Sequence, residues 1–432
     1  MPGVEFLGPY QGSGRSEGSY LLRRPDGQVV ELSRLLYLVV AAADGRRDAA
    51  GLALSVTKEL GRPVSAANVA YLIDHKLGPL GVLVGEGLPA SPARTLPDPL
   101  LGLRFRVPLM PARAVGAVSG ALRPLFAPAV VATVLAALAV VDVWVFLVHG
   151  TGPAFRAAIA TPLLLPLLAV VLVAGATFHE LGHAAASRYG GARPGAIGIG
   201  IYIYWLVFYN DLTDTYRLDR AGRLRADLGG IYFNAIFVLA TVAAYAVTGF
   251  EALLVVVAVQ HLEMAGQFWP FLRLDGYYVV SDLTGVPDLF PLVRPVLATT
   301  VARRPPSPAV ASLRPGVRRA VTAWVIAAVA VGIGWCAWVI TAGPELIATA
   351  VDSLADQRAA FSSALGAHDY GPATLAALQI TLLALPLVGL VLTLAVAAAR
   401  AGRSARPNRR DAISPAEWDR LVGTYLARTR RV

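Results

Sequence analysis

The chain has 432 residues, 56% hydrophobic and 15% charged, with a formal net charge of +10 and a mean hydropathy of +0.59. Such a chain is neither disordered nor an ordinary soluble protein, because its apolar residues gather in windows of about 20, the length that crosses a bilayer core as a helix. Its single cysteine, Cys336, excludes an intrachain disulfide.

Residues 1–18 are polar and glycine-rich, without the basic start and apolar run of a secretory signal, which predicts a cytoplasmic N-terminus. Ser19–Arg24 and Gln28–Leu32, joined by Pro25-Asp26-Gly27, read as a hairpin. Helices are predicted near 33–43, 48–60 and 65–76, with Ser33, Asp48 and Ser65 as caps, and a turn and short strand at 77–84. That order predicts a small winged helix-turn-helix over residues 1–90. Its nine basic and nine acidic residues leave it neutral, so it lacks the footprint for phosphates and no nucleic acid is expected as a partner. The hairpin and third helix resemble the recognition module of enzymes that mature ribosomally made peptides, in which a leader peptide adds a strand to the hairpin edge. A packing domain with no ligand is the plainer alternative.

Residues 91–125 carry six prolines among arginines and read as an extended linker. Six spans follow near 128–148, 163–187, 228–248, 252–271, 320–341 and 374–399. Of the 38 Lys and Arg residues only Arg156 and Arg358 fall in the loops 149–162, 249–251 and 342–373. Positive charge therefore predicts a multi-pass plasma-membrane protein with both termini cytoplasmic. Contact with anionic lipid accounts for the net charge. The expected divisions are a catalytic core at 126–290, a cytoplasmic linker at 291–319, two further helices at 320–399 and a basic tail at 400–432. The fold class is mainly α: a polytopic membrane protein with a short membrane-associated strand or hairpin and a small N-terminal domain.

Phe178-His179-Glu180-Leu181-Gly182-His183 carries the chemistry. Composition alone predicts about 0.002 occurrences of His-Glu-x-x-His in such a chain. On a helix His179 and His183, four residues apart, share a face and reach one zinc ion, with Glu180 beside them to handle a proton of water. Two histidines and a carboxylate in an apolar segment are otherwise expensive. A tetrahedral catalytic zinc needs a third protein ligand at the same depth. Asp275, in Leu274-Asp275-Gly276-Tyr277-Tyr278, lies at the cytoplasmic end of the fourth span, where Gly276 lets the helix break. His261 and Glu263, a few turns further outward, compete less well and suit supporting positions.

The FHELGH motif in one span and LDGYY about 90 residues downstream resemble, in order, spacing and depth, the two metal-ligand motifs of the site-2 protease family of intramembrane zinc metalloproteases. The resemblance covers roughly residues 128–290. It implies Zn2+ held by His179, His183 and Asp275, with Glu180 as general base. Gly229-Gly230-Ile231-Tyr232-Phe233-Asn234 resembles the family's Gly-x-x-x-Asn element without its usual proline, which implies that Asn234 helps hold substrate. An interhelical hydrogen bond is the alternative for Asn234.

Between the second and third spans Ile197, Ile199, Ile201 and Ile203 alternate with Gly198, Gly200, Tyr202 and Tyr204. Period two predicts a strand, which cannot show an open edge to lipid and so lines a protein-walled cavity. Gly198, Gly200, Tyr202 and Tyr204 are therefore candidate substrate-pairing residues, the alternative being a hairpin that plugs the core. The arrangement as a whole is similar to peptide zinc metalloproteases of ribosomal peptide pathways, including the daptide type. That resemblance implies an endopeptidase whose partner is a membrane-associated peptide precursor. Release of a membrane-tethered regulator, a silent zinc-containing receptor or immunity protein, and a transporter are the competing expectations.

Overall fold

The computed structural model describes residues 4–24, 29–82, 104–160, 164–202 and 205–404. It is mainly helical, with two three-stranded antiparallel sheets.

The N-terminal part orders as β1 (Glu5–Pro9), β2 (Tyr20–Arg23), β3 (Val29–Leu32), α1 (Arg34–Ala42), α2 (Ala49–Leu60), α3 (Ala66–Leu72) and one helical turn, α4 (Gly78–Leu80). The predicted caps are in place: Ser33, Asp48 and Ser65 accept the N–H groups of Leu36, Gly51 and Asn68. The hairpin strands β2 and β3 pair as expected, and their turn lies outside the described residues. Two expectations need correction. Residues 5–9, inside the stretch read as polar and glycine-rich, form a third strand on β2. Residues 77–80 form helical turns in place of a strand, with Leu77 and Val82 buried in the core of this unit. The apolar run there marks packing rather than pleat, and Pro79 suits a helix's first turn. Leu83 and Val84 lie outside the described residues.

The stretch read as an extended linker holds β4 (Arg104–Met110) and α5 (Ala112–Leu122). Pro108 is compatible with β4 because β4 is an edge strand. Next come α6 (Pro128–Asp142, prolonged as helix to His149), α7 (Gly152–Ala160) and α8 (Leu164–Tyr189). The chain then forms the hairpin β5 (Ile197–Tyr202) and β6 (Trp205–Asn210), followed by α9 (Arg220–Asp227), α10 (Gly229–Thr248) and α11 (Ala252–Gly266). It ends with α12 (Asp275–Thr284), α13 (Val293–Thr300), α14 (Pro308–Ala311), α15 (Pro315–Gly366) and α16 (Tyr370–Ser404).

Among the described residues four helices are long and apolar enough to cross a membrane: Pro128–His149, Pro166–Tyr189, Gly229–Thr248 and Pro315–Gly366. The fourth and sixth predicted spans fall on shorter apolar helices, Ala252–Gly266 and Tyr370–Ala384, so six spans are not shown among the described residues. The expected loop at 342–373 is a correction. Helix α15 runs unbroken through Pro344 for 52 residues. The residues after Pro344 are polar but rich in alanine and leucine, so they lose the membrane signal without losing helix propensity.

The alternating segment is a strand, but as the middle of the order β4-β5-β6. Both of its edges are filled by this chain, Gly198 opposing Pro108 on one side and Tyr209 on the other. Substrate pairing through Gly198, Gly200 and Tyr202 is therefore corrected, and Tyr204 lies outside the described residues. Gly198 has a packing reason: a Cβ there would strike the Val107 carbonyl and stand 2.7 Å from the Tyr209 ring. Gly198→Ala should cost about 1–3 kcal/mol by overpacking, read as a lower melting temperature of the detergent-solubilised protein. An unaltered melt would remove that explanation.

Candidate metal centre

Helix α8 carries His179, Glu180 and His183 and packs on α10 through small residues. A Cβ at Gly182 would strike the Gly229 carbonyl, and one at Gly229 would stand 2.7 Å from the Gly182 oxygen and 2.9 Å from Ala186. Small residues on both helices permit this backbone approach. Helix α11 stops at Gly266, and the chain reverses through Pro270 before α12 begins at Asp275. The expected break at Gly276 thus falls earlier. Gly276 lies inside the reversal, its N–H bonded to Gln267 O at 2.9 Å and its Cα face 2.8 Å from Phe268 Cα as a Cβ would measure it. Asp275 consequently sits in the first turn of α12, where the helix dipole favours an anion.

These elements bring three ligand atoms together. His179 Nε2 lies 3.2 Å from Asp275 Oδ2, His183 Nε2 lies 3.3 Å from the same oxygen, and the two imidazole nitrogens are 3.1 Å apart. Tetrahedral zinc with bonds of about 2.0–2.1 Å spaces its ligand atoms about 3.3–3.4 Å apart. The triangle therefore fits one such ion, with the fourth direction open. Asp275 Oδ2 is buried without a hydrogen-bond partner, which a metal would supply. His183 Nδ1 is 2.7 Å from the Ala226 carbonyl of α9. Donation there puts the ring's proton on Nδ1 and leaves the Nε2 lone pair facing Asp275. The described residues contain no other group of three such ligands.

Glu180 adjoins the triangle, and its carbonyl accepts from Asn210 Nδ2 at 2.8 Å, which ties the end of β6 to the motif. Tyr202 accepts the Arg273 N–H at 2.7 Å, so β5 holds the reversal that delivers Asp275. Asn234 lies one turn beyond Gly230 on α10, buried, with its Oδ1 lacking a partner. The interhelical acceptor role is thereby unsupported for that oxygen. His261 and Glu263 do not join the triangle. His261 Nε2 is 3.0 Å from Asp142 Oδ1 and its Nδ1 2.8 Å from Val257 O, while Glu263 accepts from Gln260 at 3.1 Å.

Residues unnoticed in the sequence complete the site. A Cβ on Gly230 would land 2.5 Å from His179 Nε2, so a hydrogen at this position makes room for both imidazoles. The Gly229-Gly230 pair was its only sequence signal. Behind the centre, burial and the neighbouring Asp282 carboxylate push the Asp227 carboxyl up, so it holds its proton near neutral pH. An unfolded Asp ionises near pH 3.9. Between that pH and the raised native value unfolding releases a proton, so this group's contribution to stability falls as pH rises. Asp227→Asn should therefore raise the melting temperature relative to wild type more at pH 8 than at pH 5. A gap independent of pH would contradict the assignment.

No family model, curated protein or solved structure matches the chain.

Proposed function

We propose that this membrane protein is an intramembrane zinc endopeptidase that hydrolyses a peptide bond in a membrane-associated peptide. The reading is carried by one observation: His179, His183 and Asp275 converge with zinc-like spacing while Glu180, which is outside the ligand set, stands beside them. A structural zinc has no use for such a neighbour. That observation favours an enzyme over a silent receptor.

His179 and His183 hold the ion from one helix and Asp275 from another. When bound, zinc supplies a Lewis acid for the carbonyl and lowers the pKa of water to about 7. Glu180 takes the proton of the attacking water and returns it to the departing amine nitrogen. Asn234 offers an unpartnered buried oxygen to an N–H of the substrate. With β5 enclosed, an extended substrate segment has the outer edge of β6 to pair with, the edge strand tied to Glu180 through Asn210.

The substrate we infer is the precursor of a ribosomally made peptide, with the leader removed. Support comes from β3, an edge strand of the order β1-β2-β3 that a leader can extend as a fourth strand. Both termini are read as cytoplasmic from charge alone. Co-expression of the chain with neighbouring small open reading frames, followed by mass spectrometry, tests this reading. Leader-free product that disappears on zinc chelation is expected. Shedding of a membrane-tethered regulator instead would overturn the substrate class, and no cleavage of either would overturn the activity.

A further inference from the structure

Residues 10–15, polar and unremarkable in sequence, are threaded into the body of the protein. Tyr10 is buried, donates its hydroxyl to Asp282 Oδ1 at 3.0 Å, and lies with its ring 4.6 Å from the Arg223 guanidinium carbon. Arg223 is only 1% exposed. It donates from Nε to the same Asp282 oxygen at 2.7 Å, from Nη1 to Leu218 O at 2.9 Å and from Nη2 to Gln11 O at 3.0 Å. Arg220 holds Gly12 O at 2.6 Å. Beyond it, the Gly14 N–H reaches Gly285 O at 2.8 Å, and Gly14 O accepts from Arg314 at 3.0 Å.

Both helices gripped by this segment serve the metal centre. Asp282 follows Asp275 by seven residues, two turns along the same face of α12. Arg223 precedes Ala226 by three on α9, and the Ala226 carbonyl orients His183. We propose that residues 10–15 form a strap that fixes α9 against α12, with Tyr10 and Arg223 as positioning residues for the metal ligands Asp275 and His183. The inference rests on the reading that the triangle binds a metal. The strap also carries Arg15, whose Nε donates to Glu31 on β3 at 2.9 Å. The N-terminal sheet is thus mechanically continuous with the metal centre.

The test uses the full chain in detergent, loaded with Co2+ in place of zinc, with affinity and the visible d–d spectrum as readouts. Tyr10→Phe keeps the ring and deletes the hydroxyl, and Gly14→Val lifts the strap, since any Cβ at Gly14 would strike the Thr284 carbonyl. Both should weaken Co2+ binding by roughly 10-fold, the lower end of the range for losing a partner bonded directly to a ligand, because the strap acts through Asp282 and Arg223, and both should shift the spectrum. Ser65→Ala, which uncaps α3 away from the strap, should change neither. Unaltered affinity and spectrum in Tyr10→Phe overturn the proposal, and that variant decides if Gly14→Val does not fold. The two readings fail separately. Strap-dependent metal binding without any cleavage refutes the peptidase and keeps the strap, whereas cleavage with strap-independent binding refutes the strap alone.

Discussion

Glu180→Gln is expected to lower peptide cleavage by roughly 10²- to 10⁴-fold, the usual contribution of a positioned general acid–base group, while zinc stays bound. The separation of the two effects follows from geometry. The ligands proposed for the ion are His179, His183 and Asp275, whose candidate atoms lie within 4.8 Å of one another, and Glu180 is not among them. The amide of glutamine keeps the size of the side chain but cannot accept the proton of an attacking water. Metal content by mass spectrometry and cleavage of a co-expressed precursor give the two readouts. A variant that still cleaves at the wild-type rate would refute the role assigned to Glu180. Loss of zinc from it would mean that Glu180 is a ligand.

Gly230→Ala should abolish metal binding although every polar group of the site is retained. The added methyl would occupy space 2.5 Å from His179 Nε2, well inside van der Waals contact, and Gly230 is buried on α10 against the α8 histidines. Relief requires moving either the imidazoles or the helix, and α10 is already pressed against α8 at Gly182 and Gly229. The expected loss of affinity exceeds the roughly 100-fold upper range for removing an outer-shell partner, measured by chelator competition. Wild-type affinity in this variant would show that α10 yields more readily than its packing implies.

Two of the three candidate ligands are legible from a short-range rule. His179 and His183 are related by helix periodicity, and Asp275 was singled out by membrane depth and motif resemblance. The three helices at the N-terminus were equally readable, since Ser33, Asp48 and Ser65 cap by local hydrogen bonds. What the sequence hid was pairing over distance. Alternation marked Ile197–Tyr202 as a strand, yet nothing local reveals that β4, some 90 residues earlier, closes one of its edges. The same holds for Tyr10 and Asp282, which meet across 272 positions. The role of Gly230 was hidden for another reason: an atom that is missing leaves no pattern, only the space it does not fill.

Helix α15 has a practical consequence for imaging. Its 52 residues make a rod about 78 Å long at about 1.5 Å per residue, against a hydrocarbon core of about 30 Å. If its apolar part crosses the membrane, its polar half, from Glu345 to Gly366, is expected to stand as a mast clear of the detergent belt, joined at its tip to α16. Small integral proteins are hard to orient in single-particle micrographs because the micelle conceals their outline. This chain carries its own alignment marker, and a rigid fusion across the Gly366–Tyr370 turn would enlarge it without approaching the buried histidines.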